Sequence, residues 1–82
     1  MSDAIREVIE THGRLPVGIR SLPDDANLYQ AGMTSHASVN LMLALEDRFE
    51  VEFPDEMLTR SAFESVASIR AALASLGVQE KP

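Results

Sequence analysis

Apolar residues recur at the spacing of one helix face in three separate stretches of this chain, and that repetition narrows its fold most. Ile5, Val8, Ile9 and His12 stand at i, i+3, i+4 and i+7. Val39, Met42, Leu45 (with Leu41) and Phe49 form a second stripe, and Val66, Ile69, Leu73 and Leu76 a third. An amphipathic helix must bury its stripe against a neighbour. Three such stripes within 82 residues therefore share one core, and the expected fold is all-α, a small helical bundle.

Punctuation sets the expected boundaries. A first helix covers residues 3–12, with Ser2 or Asp3 as its cap and Gly13 as its stop. Residues 14–35 read as a long connection broken by Pro16, Gly18, Pro23, Asp24, Asp25, Asn27 and Gly32. Leu15, Val17, Ile19, Leu22, Leu28 and Tyr29 within it are apolar, so this loop is expected to pack on the helices. A connection of that length in so small a domain is often functional. The strongest helix covers residues 36–50, with Thr34 or Ser35 as its cap. Val51-Glu52-Phe53 alternates like a short extended piece, and Pro54 can open a short helix over residues 55–60. Ser61 and Glu64 have capping-box spacing ahead of the last helix, with Ser65 as a competing cap and Gly77 as the stop. Residues 78–82 read as a frayed tail of a single domain spanning residues 1–82.

Composition enters by exclusion. The chain has no cysteine, which removes disulfide frameworks, Cys-type zinc sites and cysteine nucleophiles. Its longest wholly apolar run, Leu41 to Leu45, is far too short to span a bilayer, and the start at Met1-Ser2-Asp3 shows no signal-peptide pattern, so a cytoplasmic monomer is expected. The net charge of −6 is concentrated: residues 46–56 hold six acids (Glu46, Asp47, Glu50, Glu52, Asp55, Glu56) against the single base Arg48. Such a surface repels phosphate backbones, so no nucleic-acid binding is expected, and it steers basic partner surfaces instead. Glu46, Asp47 and Glu50 fall at the helix end that the dipole disfavours, which hints at a use other than stability.

Few residues could do chemistry. His12 and His36 are the only histidines and lack a nearby carboxylate at ligand spacing, so no metal site is expected. Ser35-His36 suggests a nucleophile and its base. Adjacent helical residues point in different directions, however, and no acid stands near to orient the imidazole, so no catalytic residue is assigned. Ser35 remains of interest as a hydroxyl at the mouth of the best helix, where free N–H groups favour a phosphate.

Residues 27–73 resemble an acyl carrier protein. The centre of the likeness is Ala31-Gly32-Met33-Thr34-Ser35-His36-Ala37-Ser38-Val39-Asn40-Leu41-Met42-Leu43-Ala44-Leu45-Glu46-Asp47-Arg48-Phe49, followed by Val51-Glu52-Phe53-Pro54-Asp55. The family reads Leu-Gly-x-Asp-Ser-Leu and then a helix ending like Leu-Glu-Glu-x-Phe. This resemblance implies a four-helix carrier bundle with three main helices, one short helix and a long first loop. It also implies that Ser35 carries covalent 4′-phosphopantetheine, attached by a phosphopantetheinyl transferase from coenzyme A with magnesium. The protein is then not an enzyme but a shuttle that holds cargo as a thioester for a downstream acyltransferase or synthase.

The departures matter. Thr34 stands where the family has Asp, His36 where it has Leu and Asn40 where Glu is frequent, while Arg48 adds a base. The pattern Gly-Met-Thr-Ser-His-Ala-Ser-Val-Asn-Leu-Met-Leu, followed by Glu-Phe-Pro-Asp-Glu-Met-Leu-Thr-Arg-Ser-Ala-Phe, is more similar to stand-alone aminoacyl carrier proteins, loaded by ligases similar to seryl-tRNA synthetases. Thr34, His36, Asn40, Glu46, Asp47 and Glu50 are the expected docking residues. Thr34 and His36 also motivate an alternative, an unmodified interaction module that keeps the carrier fold. Leu41, Met42, Leu45, Phe49, Phe63, Val66 and Ile69 are expected in the core. An amino acid is too polar to gain from entering it.

Overall fold

The computed structural model describes residues 2–12 and 18–78. The expected stop at Gly13, the loop residues Leu15, Pro16 and Val17, and tail residues 79–82 lie outside that range. Three α-helices carry the fold: α1 (Ser2–His12), α2 (Ser35–Phe49) and α3 (Val66–Ser75). Three 3₁₀ turns join them, at Ile19–Ser21, Asp55–Met57 and Arg60–Phe63. The short helix expected over residues 55–60 is therefore only the 3₁₀ turn Asp55–Met57, and a second turn starts at Arg60. Thr59 opens the second by accepting the Ala62 N–H, a side-chain bond that competes with continuing one helix.

The helix ends follow local chemistry. Helix α1 begins at Ser2, so Asp3 lies inside its first turn and His12 in its last, both favourable to the dipole. Thr34 caps α2, its Oγ1 accepting the Ala37 N–H at 3.0 Å. At α3 the cap is Ser65, not Ser61. Ser65 Oγ accepts the Ser68 N–H and Ser68 Oγ accepts the Ser65 N–H, each at 3.0 Å. Serine can close a capping box as glutamate does when the two side chains are this close. Beyond α3, Val78 N–H reaches Leu73 C=O and Gly77 N–H reaches Ala74 C=O, both at 3.0 Å, around Gly77 at φ 91°. This is the paired pattern that a left-handed glycine closes at little cost. Helix α2 ends through a related turn, with Val51 N–H on Glu46 C=O at 3.1 Å. Here Glu50 takes the left-handed position at φ 54°.

The core draws on all three α-helices. Ile5, Val8 and Ile9 of α1 meet Ala37, Leu41 and Leu45 of α2 and Val66, Ile69, Ala72 and Leu73 of α3. Phe53 and Phe63 pack edge to face with ring centroids 5.2 Å apart. Met42, Phe49 and Leu76 are only half-buried. Val39, counted above with the buried stripe, is 52% exposed.

The long connection is tied down as its apolar residues imply. Ile19, Leu28 and Met33 are buried, and Leu22 and Tyr29 are half-buried against the core. The largely buried Arg6 of α1 donates to the carbonyls of Ile19 at 2.7 Å and Leu22 at 2.8 Å, and to the Asp24 carboxylate. Arg70 of α3 meets the other Asp24 oxygen at 3.3 Å. The Asp24 carbonyl accepts the free Ala67 N–H at the start of α3, at 2.9 Å. One loop residue thus links α1 and α3. No helix among the described residues is long and apolar enough to cross a membrane.

Candidate functional site

Ser35 is positioned by the eight residues before it. Asn27 Oδ1 accepts the Gln30 N–H at 3.1 Å and starts a tight turn. Gly32 N–H then bonds Tyr29 C=O at 3.1 Å, and Met33 N–H bonds Leu28 C=O at 2.9 Å. Gly32 sits at φ 120°, which a side chain would rarely allow. This turn drops Met33 into the core and leaves Thr34 extended as the cap of α2. The Gly-Met-Thr-Ser order is thus a turn, an anchor, a cap and a presented hydroxyl.

Ser35 is the first residue of α2 and is exposed. Its carbonyl accepts the Ser38 hydroxyl at 2.7 Å. Among the described residues no hydrogen bond engages the Ser35 hydroxyl itself, and none joins it to His36. The Ala37 N–H is taken by Thr34, whereas the N–H groups of Ser35 and His36 precede the first intrahelical bond. An anion held on Ser35 would be favoured at this positive helix end.

Beside Ser35 runs a groove of about 260 Å³ between α2 and the two 3₁₀ turns near residues 55–63. Val39, Met42, Leu58 and Phe63 form its apolar lining. Ser38 and Thr59 add hydroxyls, and the Arg60 guanidinium lies over the Tyr29 ring, 4.1 Å from its centroid. An exposed, uncommitted hydroxyl next to a mostly apolar groove fits a covalent arm with a phosphate at its root and a largely uncharged body. By that observation the residues suit phosphopantetheine.

The expected docking residues are not all exposed. Thr34 and His36 are exposed beside Ser35, and Asp47 and Glu50 are exposed toward the far end of α2. Asn40 is half-buried. Glu46 is half-buried and already employed: its carboxylate accepts the Phe53 N–H at 2.8 Å, holding the extended 51–53 segment to the end of α2. Helical spacing instead sets Val39 and Leu43 beside His36 and Asp47, and these two are 52% and 53% exposed. Sequence reasoning missed them because Val39 was assigned to the core. The usable signal was that Leu41 and Leu45 on one side, with Val39 and Leu43 on the other, make α2 apolar around most of its circumference.

A sequence profile described as "Phosphopantetheine attachment site" matches residues 3–74. The aminoacyl carrier protein of Agrobacterium fabrum is 45% identical over 69 residues, which cover 84% of this chain and 83% of that protein. A crystal structure of an engineered Bradyrhizobium japonicum glycine:[carrier protein] ligase complexed with an Agrobacterium tumefaciens carrier protein and AMP contains a similar chain. It is 42% identical with a TM-score of 0.88, over 90% of this chain and 99% of that one. The glycylated carrier protein bound to the Bradyrhizobium japonicum ligase is 27% identical with a TM-score of 0.74, over 87% of this chain and 95% of that one.

Proposed function

Because this chain belongs to the phosphopantetheine attachment site family, we propose that Ser35 is the residue that carries its 4′-phosphopantetheine and that the loaded protein carries an amino acid. The observation that carries the reading is the exposed, unpaired hydroxyl at the first position of α2, delivered there by Gly32, Met33 and Thr34. A phosphopantetheinyl transferase installs the arm. Ser35 Oγ forms a new bond to the coenzyme A phosphorus nearest the pantetheine, the adenosine bisphosphate leaves, and the hydroxyl proton passes to a base on the transferase. The arm supplies a terminal thiol that holds cargo as a thioester. The chain's own residues only present and orient. Thr34 fixes the start of α2, Ser38 holds the Ser35 carbonyl, and Met33 and Ala37 root both sides of Ser35 in the core.

The aminoacyl cargo is supported by the relatives' description as an aminoacyl carrier protein and by their complexes with a glycine:[carrier protein] ligase. It is also supported by the interior, where Leu41, Leu45, Val66, Ile69 and Leu73 are fully buried and a polar cargo would gain nothing by displacing them. A ligase of that kind docks on the outer face of α2, on Thr34, His36, Asn40, Asp47 and Glu50, with Val39 and Leu43 between them. Glu46 serves the same face from its edge. The protein is then the substrate of its partners and performs no turnover itself.

Intact-mass analysis after incubation with coenzyme A, magnesium and a transferase tests the attachment. One phosphopantetheine per chain is expected, mapped to the peptide holding Ser35 and absent in Ser35→Ala. An adduct on another residue, or a folded protein that stays unmodified with every transferase tried, would overturn it.

A further inference from the structure

Arg60 differs from the other arginines whose side chains are described. Arg6 and Arg70 both face Asp24, and Arg48 lies 3.9 Å from Glu7. Arg60 faces a ring, Tyr29, and is exposed. It is also the one charged side chain among the described residues lining the groove beside Ser35. In a chain of net charge −6, a cation set next to a hydroxyl and away from every described carboxylate partner needs an explanation. Stacking orients the flat guanidinium and leaves its edge N–H groups available, and that edge matches phosphate oxygens.

We propose that Arg60, held on Tyr29, is the positioning residue for the arm. Its guanidinium pairs with the phosphodiester on Ser35, and the uncharged body of the arm lies between Val39, Met42 and Leu58. This rests on the reading that Ser35 is the attachment point. Charge complementarity selects the occupant: one cation lining the same groove as Ser35 for one phosphodiester, and an apolar wall for the gem-dimethyl and methylene groups of an uncharged chain. Val39 and Leu58, 52% and 43% exposed, gain cover when the arm lies down. A docking partner on the outer face of α2 reaches Val39 as well, so the partner competes with the resting arm for the same side chain. Lifting the arm and binding the partner become one event.

The test compares unmodified and fully modified protein, the modification verified by mass, by NMR of the Val39, Met42 and Leu58 methyl groups, the Arg60 Nε–H and the phosphorus. Modification is expected to shift the Arg60 Nε–H and the Leu58 and Val39 methyl signals. In Arg60→Gln the methyl shifts should fall several-fold and the phosphorus signal should move. Arg60→Lys should restore only part of the effect, and added salt should weaken the wild-type shifts. Fully modified wild type with unchanged Arg60, Val39 and Leu58 signals overturns this proposal and leaves the attachment reading intact. So does an Arg60→Gln protein that keeps the wild-type shifts. A wild-type protein that mass shows unmodified at Ser35 overturns both.

Discussion

Replacing Arg6 with alanine should unfold this domain far more readily than loss of an ordinary surface ion pair would. The Arg6 side chain is only 14% exposed and donates to two loop carbonyls, those of Ile19 and Leu22, as well as to Asp24. The variant leaves both carbonyls without that donor. An unsatisfied, partly buried acceptor costs about 1–3 kcal/mol, and water reaching the loosened loop recovers part of this, so a net loss of about 2–4 kcal/mol is expected. Domains of this kind have only about 5–10 kcal/mol in total. At roughly 4–8 °C per kcal/mol for a chain this small, Tm should drop by roughly 8–32 °C. The chain has no tryptophan, so urea titration followed by far-ultraviolet circular dichroism is the assay. Arg6→Lys should recover little, because one ammonium cannot reach the positions that the guanidinium fork spans. Amide exchange should quicken at Ala67, whose N–H partner is the Asp24 carbonyl. A loss below about 0.5 kcal/mol, the range of exposed ion pairs, would refute the claim that Arg6 holds the loop.

Glu50→Gly should stabilise the protein by about 1 kcal/mol, since a left-handed non-glycine residue ends α2; a lower urea midpoint would contradict this. Hydrogen bonding from Arg6, then its charge and Arg70, holds the Asp24 carboxyl below the ordinary aspartate value of 3.8. A lowered folded-state pKa contributes stability above the unfolded value and loses it as pH falls through the folded one. Wild type should therefore exceed Asp24→Asn at neutral pH, and the gap should close in acid; a gap independent of pH would count against the pairing. Leu43→Asp should leave stability within about 0.5 kcal/mol of wild type, because the side chain is 53% exposed. It should nevertheless slow loading by an amino acid ligase, and unchanged loading kinetics would remove the apolar ridge from the interface. Asp47→Lys should slow loading mainly at low salt, whereas Glu46→Lys should also cost about 1 kcal/mol of stability, read as a lower urea midpoint, through loss of the Phe53 hydrogen bond.

The three helices were legible because stripes such as Ile5-Val8-Ile9 and Val66-Ile69-Leu73 each have one plausible inside. Helix α2 was ambiguous because Leu41 and Leu45 compete with Val39 and Leu43, and only the placement of α1 and α3 decides which pair is covered. Ser35 was legible for the opposite reason: its position depends on local turn chemistry at Gly32 and Thr34, which sequence order records. The new turn at Arg60 is not legible in the sequence because Thr59 carries its capping information in a side-chain bond that many threonines do not make. Glu46 was assigned by its charge alone, and its bond to Phe53 depends on how the chain folds back after Glu50. The Arg6–Asp24–Arg70 link joins residues far apart in sequence and has no local signature.

Met33 and Ala37 are both 3% exposed and lie two residues to either side of Ser35. With an arm on Ser35, its root is therefore clamped and the tether is the only swivel. Cargo sweeps a shell around one fixed spot, whose radius is the tether's own length. Each enzyme that takes cargo from this carrier then works to a common gauge: the distance from its seat on α2 to its reacting atom must match that single radius. Met33 and Ala37, both buried, fix the centre from which that radius is measured.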